Sequence, residues 1–335
     1  MPFFKITRLA LAGAAVSVAL VATSVAAQAQ SPTAIRIASV NPPTAESLVF
    51  VQRVADRVSE RTQGRVTFRL FPSGQLGTTN DSLEQASQGQ PVITYTSASF
   101  MATFGVPELS VIEGPFIVAN NEEGERLAFS PLLQGWYDQL AAKSGIRIIA
   151  LNWFDGPRHM IGNAGYGKPE SLKGVRMRVP PVETWIKTFE PLGVVATTVE
   201  AAEVYSALSQ GVVAAAESPL TGLRASKWFE VSKHITLTGH FNLFTGWVMS
   251  EATFKGLSAG DRAILLEEFR KGGQELSKVS ADRAAAIRKE FEAAGVTFHE
   301  ADVPAYRKAT ASFYTSFPKW PAGLHEKVLA AAAGK

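Results

Sequence analysis

Cysteine is absent from all 335 residues. That excludes disulfides, thiolate metal sites and thiol catalysis. Histidine is scarce: His159, His234, His240, His299 and His325 are scattered, with no H-x-x-x-H or H-E-x-x-H pair, so no metal site is expected. There is no G-x-S-x-G nucleophile elbow. Glu113, Asp155 and Glu217 are possible general bases, but nothing in the sequence pairs them, so the chain is not expected to be an enzyme. "GNAGYGKP" (162–169) approaches a phosphate-binding loop, but Pro169 occupies the Ser/Thr position and lacks an N–H for the cradle. No cofactor is therefore expected. Lysines and arginines are interspersed with acids rather than gathered in a stripe, so nucleic acid is not an expected partner.

What is present starts at the N-terminus. Lys5 and Arg8 precede the apolar run "LALAGAAVSVALVA" (9–22), and small residues follow at "VAA" (25–27) or "AQA" (27–29). This is the pattern of a secretory signal peptide over residues 1–29, too short for a comfortable membrane span. Its removal takes away two positive charges and lowers the formal charge from +3 to +1. No later stretch reaches membrane-spanning length. The mature protein is expected to be soluble outside the cytoplasm. Without disulfides it must rely on a hydrophobic core, for which about 300 residues suffice as two domains.

Strand and helix patterns alternate along the mature chain. "IRIASV" (35–40), "RVTFRLFP" (65–72), "PVITYTSASF" (91–100) and "IRIIALNWF" (146–154) read as strands. "ESLVFVQRVADRVSERTQG" (46–64) and "NEEGERLAFSPLLQGWYDQLAAKSG" (121–145) read as helices. A second unit begins near Gly156, with strands at "GVRMRVP" (174–180) and "VVATTV" (194–199) and a helix at "EAAEVYSALSQG" (200–211). "LFTGWVMSE" (243–251) is a further strand. Ser258 and Asp261 open a long helical tract (259–295), interrupted at Gly272-Gly273, and "VTFHEAD" (296–302) is a short strand. This βαβ rhythm implies an α/β fold of two lobes, each a sheet flanked by helices, with the chain crossing between them more than once.

In "GVRMRVP", Arg176 and Arg178 share one face of the strand. A guanidinium is cationic in any folded protein, so a buried one requires an acidic or carbonyl partner. Arg178 lies at the carboxyl end of its strand, where open α/β sheets place ligands, whereas Arg176 reads as solvated or helix-facing. Arg158 follows the turn Asp155-Gly156-Pro157. A planar guanidinium gives a carboxylate two parallel N–H bonds, each worth roughly 1.5–3 kcal/mol once water is excluded.

"SLKGVRMRVP" (171–180), preceded by "GPRHMIGN" (156–163), resembles the solute-binding subunits of tripartite ATP-independent periplasmic (TRAP) transporters of the C4-dicarboxylate-binding family. "FPSGQLG" (71–77), "EVYSALSQGVVAAAESPL" (203–220) and "LSAGDRAILLEE" (257–268) carry the resemblance across almost the whole mature chain. It implies a bilobed periplasmic binding protein with a mixed sheet in each lobe and a long helix spanning both. Lobe I would be residues 30–155 and about 244–283, and lobe II residues 156–243 and about 284–335. It implies that Arg178 forks onto a ligand carboxylate, that Arg158 assists, and that Ser218, where the family usually has asparagine, contacts the same group. Ala215 stands where the family's aspartate is usual. Asn41, Gln75, and Thr96 or Ser97 would supply the first-lobe wall. Trp153, Phe154 and Trp185 would shape the far end of the pocket and favour a ligand with an apolar or aromatic portion, while Trp247 reads as core.

The implied partners are a small organic acid, monocarboxylate or dicarboxylate, and two integral membrane subunits, with the binding protein itself a monomer. A binding protein of an ATP-driven importer, or one serving a sensor for organic acids, is the alternative, since both share the lobes and the export signal.

Overall fold

The structure is a computed structural model that describes residues 1–3 and 32–335, so the signal-peptide expectation lies outside the described residues. Within 32–335, eleven strands run in chain order: Thr33–Ala38 (β1), Val66–Phe71 (β2), Val92–Ser97 (β3), Ile146–Ala150 (β4), Arg158–Gly162 (β5), Arg176–Val179 (β6), Val195–Thr198 (β7), Ala215–Pro219 (β8), His234–Leu237 (β9), Thr245–Ser250 (β10) and Thr297–Glu300 (β11). They form two sheets, ordered β2-β1-β3-β10-β4 and β11-β9-β5-β8-β6-β7. Both are mixed. β1 is parallel to β2 and β3, while β10 is antiparallel to β3 and β4. β6 is parallel to β7 and β8, while β5 is antiparallel to β8 and β9. The fold is the expected two-lobed one.

Local sequence explains the elements. In β1, Ile35 and Ile37 are buried, while Arg36 points the other way and donates to Gln90. β3 is central and buried at every position, as a strand covered on both faces must be. The helix Glu46–Arg61 buries Leu48, Val51, Val54 and Val58 against the first sheet, and Gly64 turns the chain at φ +76°. The helix expected over 121–145 is two helices, Asn121–Ala128 and Pro131–Ser144. Pro131 cannot continue a helix, and Ser130 caps the second by accepting from Leu133 N at 3.3 Å.

Gly272-Gly273 does not interrupt the long helix, which runs unbroken from Ala259 to Ala293. A Cβ at Gly272 would collide with Val54 and Trp153, and one at Gly273 with Asn152 and Trp153. The glycines let the helix pack close, at a propensity cost of about 1 kcal/mol each. Leu265, Phe269 and Leu276 of this helix join the core of the first sheet, and Ile287 and Phe291 join that of the second. The final helix, Leu324–Ala332, is a further difference. Its stripe of Leu324, Val328 and Ala332 packs with Leu109, Leu127 and Leu133 of the first lobe rather than with the second.

Candidate functional site

A cavity of about 630 Å³ is lined by elements of both sheets. The first contributes the turn after β1 with Asn41, and the end of β3 with Tyr95, Thr96 and Ser97. The second contributes Arg158 at the start of β5, Arg178 near the end of β6, Ser218 on β8, and Trp185.

The two arginines are chemically distinct here. β8 lies between β5 and β6, and it carries Glu217 with no exposed surface. Arg158 clamps Glu217: its Nε donates to Glu217 Oε2, and its Nη2 donates to Oε1 at 2.7 Å and to the backbone oxygen at 2.9 Å. Trp185 Nε1 donates to the same Oε1 at 2.9 Å, and His240 Nε2 stands 3.4 Å from Oε2. Burial works to raise the Glu217 carboxyl. The Arg158 charge and its hydrogen bonds overcome that and hold Glu217 well below the usual carboxylate range. Burial pushes His240 down in spite of Glu217, so its imidazole is neutral.

Arg178 has no such partner. It is 5% exposed, and among the described residues its one side-chain hydrogen bond is from Nε to the Val199 backbone oxygen at 2.9 Å. It makes no ion pair among the described residues, where Arg158 does. Burial pushes it down to about 10, only partly offset by the more distant Glu217, so it remains cationic at physiological pH. Arg176 is exposed and donates to the Gly211 backbone oxygen.

The other expected site residues divide. Ser218 lines the cavity. Thr96 Oγ1 is buried there without a partner. Ser97 is engaged, its hydroxyl donating to Glu113 at 3.0 Å. Burial pushes Glu113 up to about 7 against the pull of that bond and of those from the Ala98 and Ser99 amides. Asn41 donates to Ser47 Oγ at 3.3 Å.

Gln75, Trp153 and Phe154 do not line the cavity. Gln75 is exposed on its loop. Trp153 is fully buried against Trp247 and Phe269, with Nε1 donating to the Phe269 backbone oxygen at 2.9 Å. Phe154 packs edge-on against Phe244 in the first-lobe core. Both belong to the crossover that leaves β4, and the crossover threads the core before it reaches the cavity.

Sequence reasoning missed Asp155 and Tyr95 as cavity residues. Tyr95 Oη donates to Asp155 Oδ2 at 3.1 Å, while Asp155 Oδ1 is buried without a partner. Burial pushes Asp155 up to about 6. The available signal was its place in the turn that crosses between lobes. Among the described residues no group of three or more His, Asp or Glu could hold a metal, and no helix is long and apolar enough to cross a membrane.

The profile described as bacterial extracellular solute-binding protein, family 7, matches residues 37–319. The chain is 25% identical over 302 residues to the sialic acid-binding periplasmic protein SiaP of Vibrio cholerae, covering 90% of this chain and 94% of that one. It is 30% identical over 274 residues to a solute-binding protein of Verminephrobacter eiseniae, covering 81% and 80%. Two solved structures of TRAP periplasmic solute binding proteins, each 29% identical, match with a TM-score of 0.86 over 90% of this chain and 100% of theirs. One is from Ochrobacterium anthropi with bound L-fuconate, the other from Actinobacillus succinogenes with bound L-galactonate.

Proposed function

The chain belongs to the bacterial extracellular solute-binding protein family 7, and we propose that it captures a small monocarboxylate in the cavity between its lobes and hands it to the membrane subunits of a TRAP transporter. The ligand carboxylate accepts from Nη1 and Nη2 of Arg178, whose Nε donates to the Val199 carbonyl, and closure of the lobes excludes water. No covalent bond is made or broken.

The observation that carries this reading is the contrast between a buried, unpaired Arg178 and an Arg158 already neutralised by Glu217. A desolvated guanidinium without a counter-ion is costly, and an incoming carboxylate removes that cost while forming two charge-assisted bonds. The charge inventory favours one carboxylate over two. Besides the arginines, Lys227 is the other cation lining the cavity, and its side chain is 69% exposed. A second carboxylate would therefore find no second buried, unpaired cation.

The cavity also favours hydroxyls. Ser218, Thr96 Oγ1 and Asp155 offer polar atoms, whereas Trp153 and Phe154, which would have favoured an apolar ligand, sit in the core. L-fuconate and L-galactonate, bound by two structural relatives, are hydroxylated monocarboxylates. A thermal-shift screen of 2-hydroxy and polyhydroxy monocarboxylates against C4-dicarboxylates tests the reading. A ligand at 100 times its Kd adds about 2.7 kcal/mol of stability. Shifts confined to dicarboxylates would overturn the assignment.

A further inference from the structure

Glu46 opens the helix that follows β1, and its carboxylate is 5% exposed. A first-turn acid is favoured by the helix N-terminus alone. Yet this one reaches two arginines from elsewhere in the fold. Arg224 Nη2 donates to Glu46 Oε1 at 2.9 Å, and Arg283 Nη1 donates to the same oxygen. Arg224 lies on the short helix Leu220–Ala225 that follows β8, so it belongs to the second lobe. Arg283 lies on the long helix between Leu276, packed in the first core, and Ile287, packed in the second. One carboxylate thus joins the first lobe, the second lobe and the helix that spans them. Beside it, Thr44 Oγ1 donates to the Ala225 backbone oxygen at 3.3 Å, a second bond between the same two segments. Both segments line the cavity, through Ala45 and Glu46 on one side and Ala225 and Ser226 on the other.

We propose that Glu46, Arg224 and Arg283 form a charge clasp across the cavity wall that holds the lobes together and sets how long a ligand stays. The inference rests on the reading that ligand is enclosed between the lobes, but the clasp operates without ligand. Separating the lobes must pull Glu46 away from Arg224. Two guanidiniums converge on one carboxylate oxygen, so removing the carboxylate leaves two like charges facing each other. The attraction then becomes a repulsion. The arginine side chains are 32% and 49% exposed, so salt weakens the clasp. Glu290, 3.8 Å from Arg224, is too distant and too exposed to replace Glu46.

The absence of cysteine makes the test clean. Asn80→Cys and Lys173→Cys, exposed positions on the two lobes, accept a dye pair for single-molecule energy transfer. Glu46→Gln and Arg224→Met, each with native circular dichroism, are expected to lengthen the inter-dye distance in ligand-free protein. With a bound monocarboxylate they are expected to raise koff about tenfold while kon stays within about twofold. Arg224→Lys keeps the charge and is expected to restore most of the closed population. An unchanged distance distribution in both ligand-free variants overturns the clasp. So does a fall in kon with koff unaltered. Because the distance is read without ligand, failure of the monocarboxylate reading would leave the clasp decided on its own.

Discussion

β5 and β6 flank the same strand, and each carries an arginine to one cavity, yet the two sides of β8 are in opposite electrostatic states. On the β5 side, Arg158 and Glu217 form a closed pair, braced by Trp185 and bordered by a neutral His240. On the β6 side, Arg178 holds only a backbone carbonyl. The difference teaches that burial alone does not mark a binding arginine. Both are largely withdrawn from solvent, and what separates them is whether the protein supplies the counter-ion. The paired side serves the fold, and the unpaired side stores a cost that only an external anion can relieve.

The comparison breaks first at Arg158. Arg158→Ala leaves the fully buried Glu217 without its guanidinium and is expected to cost about 3–5 kcal/mol of folding stability. Urea unfolding checks this, and stability equal to wild type would mean that the pair holds nothing. A smaller effect sharpens the comparison. Burial raises the Asp155 carboxyl to about 6, outweighing the hydrogen bond from Tyr95 and the pull of the Arg158 charge. A carboxyl raised in the folded state binds its proton more tightly there than in the unfolded chain. Its stabilising contribution is therefore complete below about pH 3.8 and is lost as pH rises through about 6. The loss is up to about 3 kcal/mol, reduced by partial solvent access. Unfolding curves between pH 4 and 7 should show the decline, and Asp155→Asn should flatten it. The part due to Glu113, raised to about 7, should remain.

The fold was legible wherever local pattern decides. Strands of alternating Ile and Val, the apolar stripe of Glu46–Arg61 and the glycine turns all express short-range sterics and burial. Legibility ended where distant segments meet. Gly272-Gly273 looks like a break until Val54 and Trp153 are seen pressed against it. Trp153 and Phe154 looked available to a ligand because nothing local shows that the chain passes through the core there. His234 and His299, 65 positions apart, lie 3.0 Å from each other, which no spacing rule anticipates. In the site, Arg178 was readable from its strand end. That Arg158 is neutralised was not, because Glu217 lies 59 residues away and meets it only through antiparallel pairing of β5 with β8.

The most direct measurement is a pair of readings on Arg178→Ala: thermal melting without ligand, and calorimetric titration with whichever monocarboxylate stabilises the wild type. The unpaired charge predicts that the variant melts no lower than wild type, since a costly buried cation is gone, and that heat of binding disappears, with Arg178→Lys weakened but not abolished. Unchanged affinity in the alanine variant would contradict the account.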